Sequence, residues 1–241
     1  MLKEEGYFVY PELLGSDRLQ MIRAWIGLIN KTRPISIALE PEFEFSDESL
    51  PPLRKIRRLF WYDPSFWISI LSGSALVDLA RGLVGDQAHL ILHAAFLKPP
   101  LVGGATAAHQ DQALWGIDYP GAISVWVALD PAQPVNGCLE LYPGSHRSGL
   151  ISHALDSPDA WHPSVDQTPF PIMAKALPLT PGDAIVWHRY MVHRSGENRS
   201  NDPRWGVVFV FADQSQNGFD AFDRFPLMLL PNPKGSIGAH A

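Results

Sequence analysis

The period of the apolar positions changes near residue 88, and that change divides the chain into two zones. Up to about residue 88 the spacing is helical. Ser16 reads as a cap, and after it Leu19, Ile22, Ile26 and Ile29 recur three and four apart, as on one face of a helix. Asp63-Pro64 marks a second helix start, with the aspartate at the cap and the proline in the first turn. A third helix is expected over 74–83, with Leu76, Leu79, Ala80 and Leu83 sharing a face and Gly85 as the stop. Ahead of these helices Gly6-Tyr7-Phe8-Val9-Tyr10 reads as a short strand. The Pro- and Glu-rich stretch 40–52 reads as an exposed loop.

Beyond residue 88 the helical period is lost. The runs 89–97, 122–129, 137–142, 183–187 and 205–212 are rich in Val, Ile, Phe and Trp, with Pro, Gly, Asn or Asp at their ends, and predict strands. Val135-Asn136-Gly137 is a hairpin-type turn signal between two of them. Many short strands without intervening helices point to an antiparallel sandwich or jelly roll, and the preceding helices are expected to brace one of its sheets. There is no internal repeat, and the 22 prolines are spread over the chain. The expectation is one domain over 1–241, with a bracing region at 1–88, a β core at 89–215 and a C-terminal extension at 216–241.

Composition narrows the classes. With 46% hydrophobic and 18% charged residues in 241, the chain has material for a full core. A net charge of −6 provides no global field for nucleic acid or an acidic membrane, so neither is expected as a partner. The local cluster Arg54-Lys55-Ile56-Arg57-Arg58, with its interleaved apolar residue, reads as a half-exposed helix or loop; contact with an anionic substrate is the alternative. Cys138 is the only cysteine, which excludes an intrachain disulfide and a thiolate metal cluster. The opening Met1-Leu2-Lys3-Glu4-Glu5 lacks the apolar core of a signal peptide, and no run approaches 18 apolar residues. A cytoplasmic protein is expected; its oligomeric state is not legible.

Chemistry concentrates in two clusters. If His109-Gln110-Asp111 is extended, residues two apart share a face, so an imidazole and a carboxylate converge. Such a pair alone carries little, and the chain has eight other histidines. Gly182-Asp183, then His193 to Asn198, then Arg204 form the second cluster. Two histidines and one carboxylate on one face of a metal leave open positions suited to iron(II), a bidentate 2-oxo acid and dioxygen. An inward Arg204 on the strand after His193 could grip the far carboxylate of 2-oxoglutarate.

On these residues the chain resembles the phytanoyl-CoA dioxygenase family of iron(II)- and 2-oxoglutarate-dependent oxygenases. The matching pieces are His109-Gln110-Asp111, Trp126-Val127-Ala128-Leu129, Asn136-Gly137-Cys138-Leu139, Pro143-Gly144-Ser145-His146, Gly182-Asp183, and His193 with Ser195, Asn198, Ser200 and Arg204 at the family's spacing. The opening Gly6-Tyr7-Phe8-Val9 and the helix after it also fit.

The resemblance implies a mainly β fold with bracing helices: a double-stranded β-helix, or cupin-like jelly roll. It implies iron(II) held by His109, Asp111 and His193, with 2-oxoglutarate and O2 as co-substrates. It places Arg204 and Ser195 on the 2-oxoglutarate carboxylate, with Trp126 and His93 beside it, and leaves Lys98 and Thr106 as lesser contacts. His188 could compete as a ligand, but the motif counts from His193, so a structural role is expected for it and for His146. His89, His153, His162 and His240 are expected in surface or loop positions. Trp115 and Tyr119, in the turn-rich stretch after the metal pair, are candidates to face substrate. One branch of the family has Ala or Gly in place of the carboxylate and halogenates; Asp111 favours hydroxylation. The expected reaction is oxidation of a small, partly apolar metabolite with succinate and CO2 as co-products. A catalytically silent barrel that binds a metal or small molecule is the alternative.

Overall fold

The computed structural model describes residues 1–34, 37–41, 51–155, 163–165, 173–213 and 225–230. The described helices are α1 (Leu2–Glu5), α2 (Ser16–Thr32), α3 (Leu59–Tyr62), α4 (Pro64–Leu71), α5 (Ala75–Val84) and α6 (Asp111–Leu114). The described strands begin with β1 (Tyr7–Tyr10), β2 (Ala38–Pro41), β3 (Leu53–Arg57), β4 (Ala88–Lys98), β5 (Thr106–His109) and β6 (Ile123–Ala128). They continue with β7 (Leu139–Leu141), β8 (Lys175–Ala176), β9 (Ala184–His188), β10 (His193–Ser195), β11 (Arg204–Asp213) and β12 (Phe225–Pro226).

The strands form the two antiparallel sheets of a jelly roll. An eight-stranded sheet runs β1-β9-β6-β11-β4-β3-β2, with β12 paired to β4, and a four-stranded sheet runs β5-β10-β7-β8. Strand alternation gives the large sheet two apolar faces. Val125, Val127, Val207, Phe209 and Phe211 pack against Ile22 and Ile26 of α2, Trp67 of α4 and Leu76 of α5. Trp126, Ile185, Val208 and Val210 face Leu139 and Leu141 of the small sheet. The helices therefore brace the outer face, and the space between the sheets is left for the site.

Local chemistry explains the helix starts. Asp63 Oδ1 accepts from the Phe66 amide at 3.0 Å with Pro64 at the first position, and Ser74 Oγ accepts from the Val77 amide at 3.4 Å. In α2 the cap is Gly15 rather than Ser16, whose side chain makes no capping bond. In α5 the buried face is Leu76, Val77 and Ala80, and Leu83 is exposed.

Three expectations need correcting. The stretch assigned to a loop contributes β2 through Pro41, paired with β3; residues 42–50 lie outside the described ones. Arg54 to Arg57 belong to β3, not a helix or loop, because Leu53 and Ile56 are drawn into the core while β3 pairs with β4. The 135–137 turn is no hairpin: a 3-10 turn, Pro134–Asn136, carries the chain from β6 in one sheet to β7 in the other. Gly137 there has φ +76°, and a Cβ on it would lie 2.2 Å from the Gly196 carbonyl oxygen, so no other residue fits. No single described helix is long and apolar enough to cross a membrane.

Candidate metal centre and cavity

β10 runs antiparallel to β5 in a register that sets His193 opposite His109. Cross-strand partners share a face, so the two imidazoles stand side by side with ring centroids 4.3 Å apart. The chain stays extended through Gln110 (φ −109°, ψ 133°), and Asp111 then opens α6. One extended residue between them is enough to return Asp111 to the histidine side. Its Oδ1 lies 3.8 Å from His109 Nε2 and 3.6 Å from His193 Nε2, and the three donor atoms all lie within 4.8 Å of one another. Donors bound about 2.0–2.2 Å from one metal lie roughly 3–4 Å apart, so this spacing suits a shared ion.

The surroundings set each donor. His109 Nδ1 is 2.9 Å from the Ala107 carbonyl and His193 Nδ1 is 3.1 Å from that of Met191. A carbonyl only accepts, so each Nδ1 carries the proton and each Nε2 presents its lone pair to the centre. Asp111 Oδ2 accepts from Trp187 Nε1 at 2.9 Å and from Ser124 Oγ at 2.5 Å, which turns Oδ1 toward the histidines. The histidines come from the small sheet, while Trp187 and Ser124 come from the large one. Both sheets thus fix the centre.

Gln110 was not singled out in the sequence and has its own task. Its side chain is fully buried on the opposite side, donating to the carbonyls of Gly149 (2.8 Å) and Tyr190 (2.7 Å) and accepting from the Ile151 amide (2.8 Å). His153 Nε2 accepts from the Gln110 amide at 3.0 Å, so this histidine braces the metal pair rather than a loop surface.

The centre opens on a cavity of about 810 Å³ lined by both sheets and by β3. Arg204, Ser195, Trp126, Lys98, Thr106 and Trp115 are on its wall. Arg204 is 2% exposed, its Nε has no hydrogen-bond partner, and its guanidinium sits 5.3 Å from the centre of the Trp126 ring. Burial lowers its pKa to about 10, which leaves it cationic at neutral pH. A buried, part-satisfied guanidinium beside a three-donor centre fits a dicarboxylate chelated at one end and gripped at the other. Gly206 makes room for the indole: a Cβ there would lie 2.0 Å from Trp126 Cζ2. Lys98 Nζ donates to the Gly104 carbonyl, and Asn198, fully buried, donates to the carbonyls of Lys98 (3.0 Å) and Asp202 (2.8 Å) to tie the β10–β11 connection down.

Other predicted residues lie elsewhere. His93 stacks on Phe209 (4.4 Å) and meets Trp67 edge-on (4.1 Å), on the helix side of the large sheet. Strand parity is the reason: Ala94 faces the inner core while Ala95 packs with the helices, and position 93 follows 95. Residue 93 borders the cavity, but its ring is turned to the helix side; both ring nitrogens lack partners among the described residues, and burial holds the imidazole well below its usual pKa, so it is neutral. Tyr119 packs behind Trp115 at 5.6 Å, buried with Ala122 and Ala212, so Trp115 alone of the pair reaches the cavity. His188 stands outside the donor set. Its Nδ1 accepts from the Tyr190 amide at 3.1 Å, its ring lies 5.4 Å from that of His146, and burial lowers its pKa to about 4. His146 Nε2 in turn donates to the Lys3 carbonyl at 3.1 Å, docking the N-terminus. His89 is buried rather than at the surface, donating from Nδ1 to the Gln87 carbonyl at 2.7 Å. His162 and His240 lie outside the described residues.

Comparison with known proteins follows the same lines. Residues 2–206 match the family described as phytanoyl-CoA dioxygenase (PhyH). The chain is 28% identical over 208 residues to a methylphosphonate hydroxylase of Gimesia maris, covering 86% of this chain and 76% of that one. It is 37% identical over 134 residues to phytanoyl-CoA dioxygenase 1 of Oryza sativa subsp. japonica, covering 53% of this chain and 46% of the relative, about half of its length. Among solved structures, EctD from S. alaskensis, with 2-oxoglutarate and 5-hydroxyectoine, shares the fold at TM-score 0.71 and 20% identity, covering 89% of this chain and 74% of that chain. EvdMO1 superposes at TM-score 0.68 with 26% identity over 88% of this chain and 48% of that one.

Proposed function

The chain belongs to the phytanoyl-CoA dioxygenase family of iron- and 2-oxoglutarate-dependent oxygenases, and from that premise we propose that it hydroxylates a C–H bond of a small, partly apolar metabolite. In this reading His109, Asp111 and His193 hold the iron; their convergence within 4.8 Å at the cavity wall is the observation that carries it. Bound there, iron supplies dioxygen activation coupled to the conversion of 2-oxoglutarate into succinate and CO2.

The protein's own residues set the geometry. The Nδ1–H bonds to Ala107 and Met191 hold both imidazoles as Nε2 donors, and Ser124 and Trp187 keep Asp111 from swinging away. Arg204 and Ser195 take the distal carboxylate of 2-oxoglutarate, and the Trp126 indole forms the flat wall beside it. Trp115 excludes water and meets the apolar part of the substrate. Asp111 occupies the position a halide would need, so hydroxylation is the outcome, and the relative named for methylphosphonate hydroxylation supports that. A cytoplasmic setting, with Cys138 a thiol and no nucleic-acid or membrane partner, is part of the same reading.

The test is succinate formation by purified protein with iron(II), oxygen, 2-oxoglutarate and a panel of small substrates. We expect turnover that His109→Ala and Asp111→Ala both abolish together with metal binding. No succinate under any condition, beside an active control enzyme, would sink the proposal.

A further inference from the structure

We infer that Ser124 and Trp187 are positioning residues that restrict Asp111 to a single donor oxygen, so that the centre keeps a place for dioxygen once 2-oxoglutarate has chelated. The inference rests on the iron reading of this site. It goes beyond that reading by assigning the free place to two side chains outside the donor set.

The large sheet sets the two donors side by side. Ser124 of β6 lies opposite Trp187 of β9, and the same row continues to Tyr7 of β1 on one side and Val210 of β11 on the other. Directly paired residues share a face of the sheet. Tyr7, Trp187 and Val210 belong to the core between the sheets, so the Ser124 hydroxyl points there too. Both side chains are buried, Ser124 completely. Asp111 arrives from the small-sheet side at the start of α6, and its Oδ2 meets Ser124 Oγ at 2.5 Å and Trp187 Nε1 at 2.9 Å. The indole also lies against another of the three donor residues, its ring 4.9 Å from that of His193 and inclined by 49°.

A carboxylate oxygen has two lone-pair directions, and the hydroxyl and the indole N–H take up both of those on Oδ2. Oδ1 is left for an ion, and it is the oxygen that faces the histidines, 3.8 Å from His109 Nε2 and 3.6 Å from His193 Nε2. Released from these donors, a carboxylate is free to bind a cation through both oxygens, as Asp and Glu side chains do at other metal ions.

Three protein donors on an octahedral metal leave three places, two for the 2-oxo acid and one for dioxygen. An Asp111 bound through both oxygens makes a fourth protein donor and leaves only the two places that the 2-oxo acid fills by itself. Loss of this two-donor clamp therefore leaves 2-oxoglutarate bound and removes the place for the gas. Side chains that merely supported the fold would instead weaken every ligand of the centre alike.

The test counts the places directly, on the whole protein loaded without oxygen with manganese(II) or iron(II). Paramagnetic resonance of the manganese(II) protein in water enriched in oxygen-17 counts the bound waters, roughly three in the wild type. Ser124→Ala combined with Trp187→Phe should lower that count by about one, and Ser124→Thr, which keeps a hydroxyl, should leave it unchanged. Nitric oxide, standing in for dioxygen on the iron(II) protein, gives a second reading. In the double variant its affinity should fall at least about ten-fold when 2-oxoglutarate is bound and stay within about two-fold when it is absent. Trp187→Phe alone keeps a ring in the core and should show the same split at roughly five-fold, which decides the matter where the double variant does not fold. An unchanged water count in the double variant overturns the inference. So does nitric oxide affinity that falls equally with and without 2-oxoglutarate, or no split in Trp187→Phe where that variant decides. Wild-type protein that binds no manganese(II) defeats the iron reading itself, whereas bound metal with an unchanged count defeats only the clamp.

Discussion

Adjacent side chains in this site do opposite work. Asp111 turns inward to complete a three-donor centre, while Gln110 turns outward and secures three backbone groups of neighbouring loops. Arg204 shows the same economy: it is 2% exposed and lies over Trp126, yet its Nε has no partner among the described residues. Burying a guanidinium with an unmet donor is costly, and a ligand carboxylate removes that cost. Arg204→Ala should therefore raise the Kd for 2-oxoglutarate by more than about ten-fold, with metal affinity retained, because the three donors do not depend on it. Arg204→Lys should recover only part of the loss, since an ammonium keeps the charge but not the planar fork. Titration calorimetry with manganese(II) in place of iron separates the two affinities. Equal loss of metal and 2-oxoglutarate in Arg204→Ala would contradict the assignment.

Elements that carry their own local signals were legible before any fold was known. Asp63-Pro64 predicts the start of α4, and the structure has Asp63 Oδ1 on the Phe66 amide while Oδ2 accepts from Trp25 Nε1 of α2 at 3.1 Å. Asp63→Ala should lower stability by about 1–2 kcal/mol and leave metal binding unchanged, because the cap lies on the helix side of the large sheet. Denaturant unfolding beside a metal titration checks both halves. His109, Asp111 and His193, which the structure brings within 4.8 Å of one another, were singled out for a different reason, the family resemblance that picks them out as a set. What sequence could not show was parity on a strand covered on both faces. The run Leu90-Ile91-Leu92-His93-Ala94-Ala95-Phe96 is apolar apart from His93, with no alternation to tell which positions face the site, so sequence alone could not show that the His93 ring stacks on Phe209 on the helix side. β3 was misread for a related reason: four cations in five residues look like a solvated face until β4 supplies the register that turns Lys55 and Arg57 into the cavity.

At the scale of the whole molecule, the proposed metal centre is where the two sheets are joined. His109 and His193 belong to the small sheet, and Asp111 is held by Ser124 and Trp187 of the large one. Unfolding separates these groups, so an ion bound by all three acts as a cross-link present only in the native state. A ligand at a hundred times its Kd that binds only the folded state stabilises it by about 2.7 kcal/mol. For a chain of this size that corresponds to a rise in Tm of roughly 5–10 °C. Manganese(II) under anaerobic conditions should produce that shift. Added 2-oxoglutarate should raise Tm further only when the metal is present, because one end of it is held by the ion. In Asp111→Ala both increments should vanish together, since neither sheet then retains a complete set of donors. A metal-induced rise of the same size in Asp111→Ala would mean that the ion binds elsewhere. An increment from 2-oxoglutarate without metal would mean that Arg204 and Ser195 suffice on their own. Either result can be read from melting curves alone, independently of any substrate.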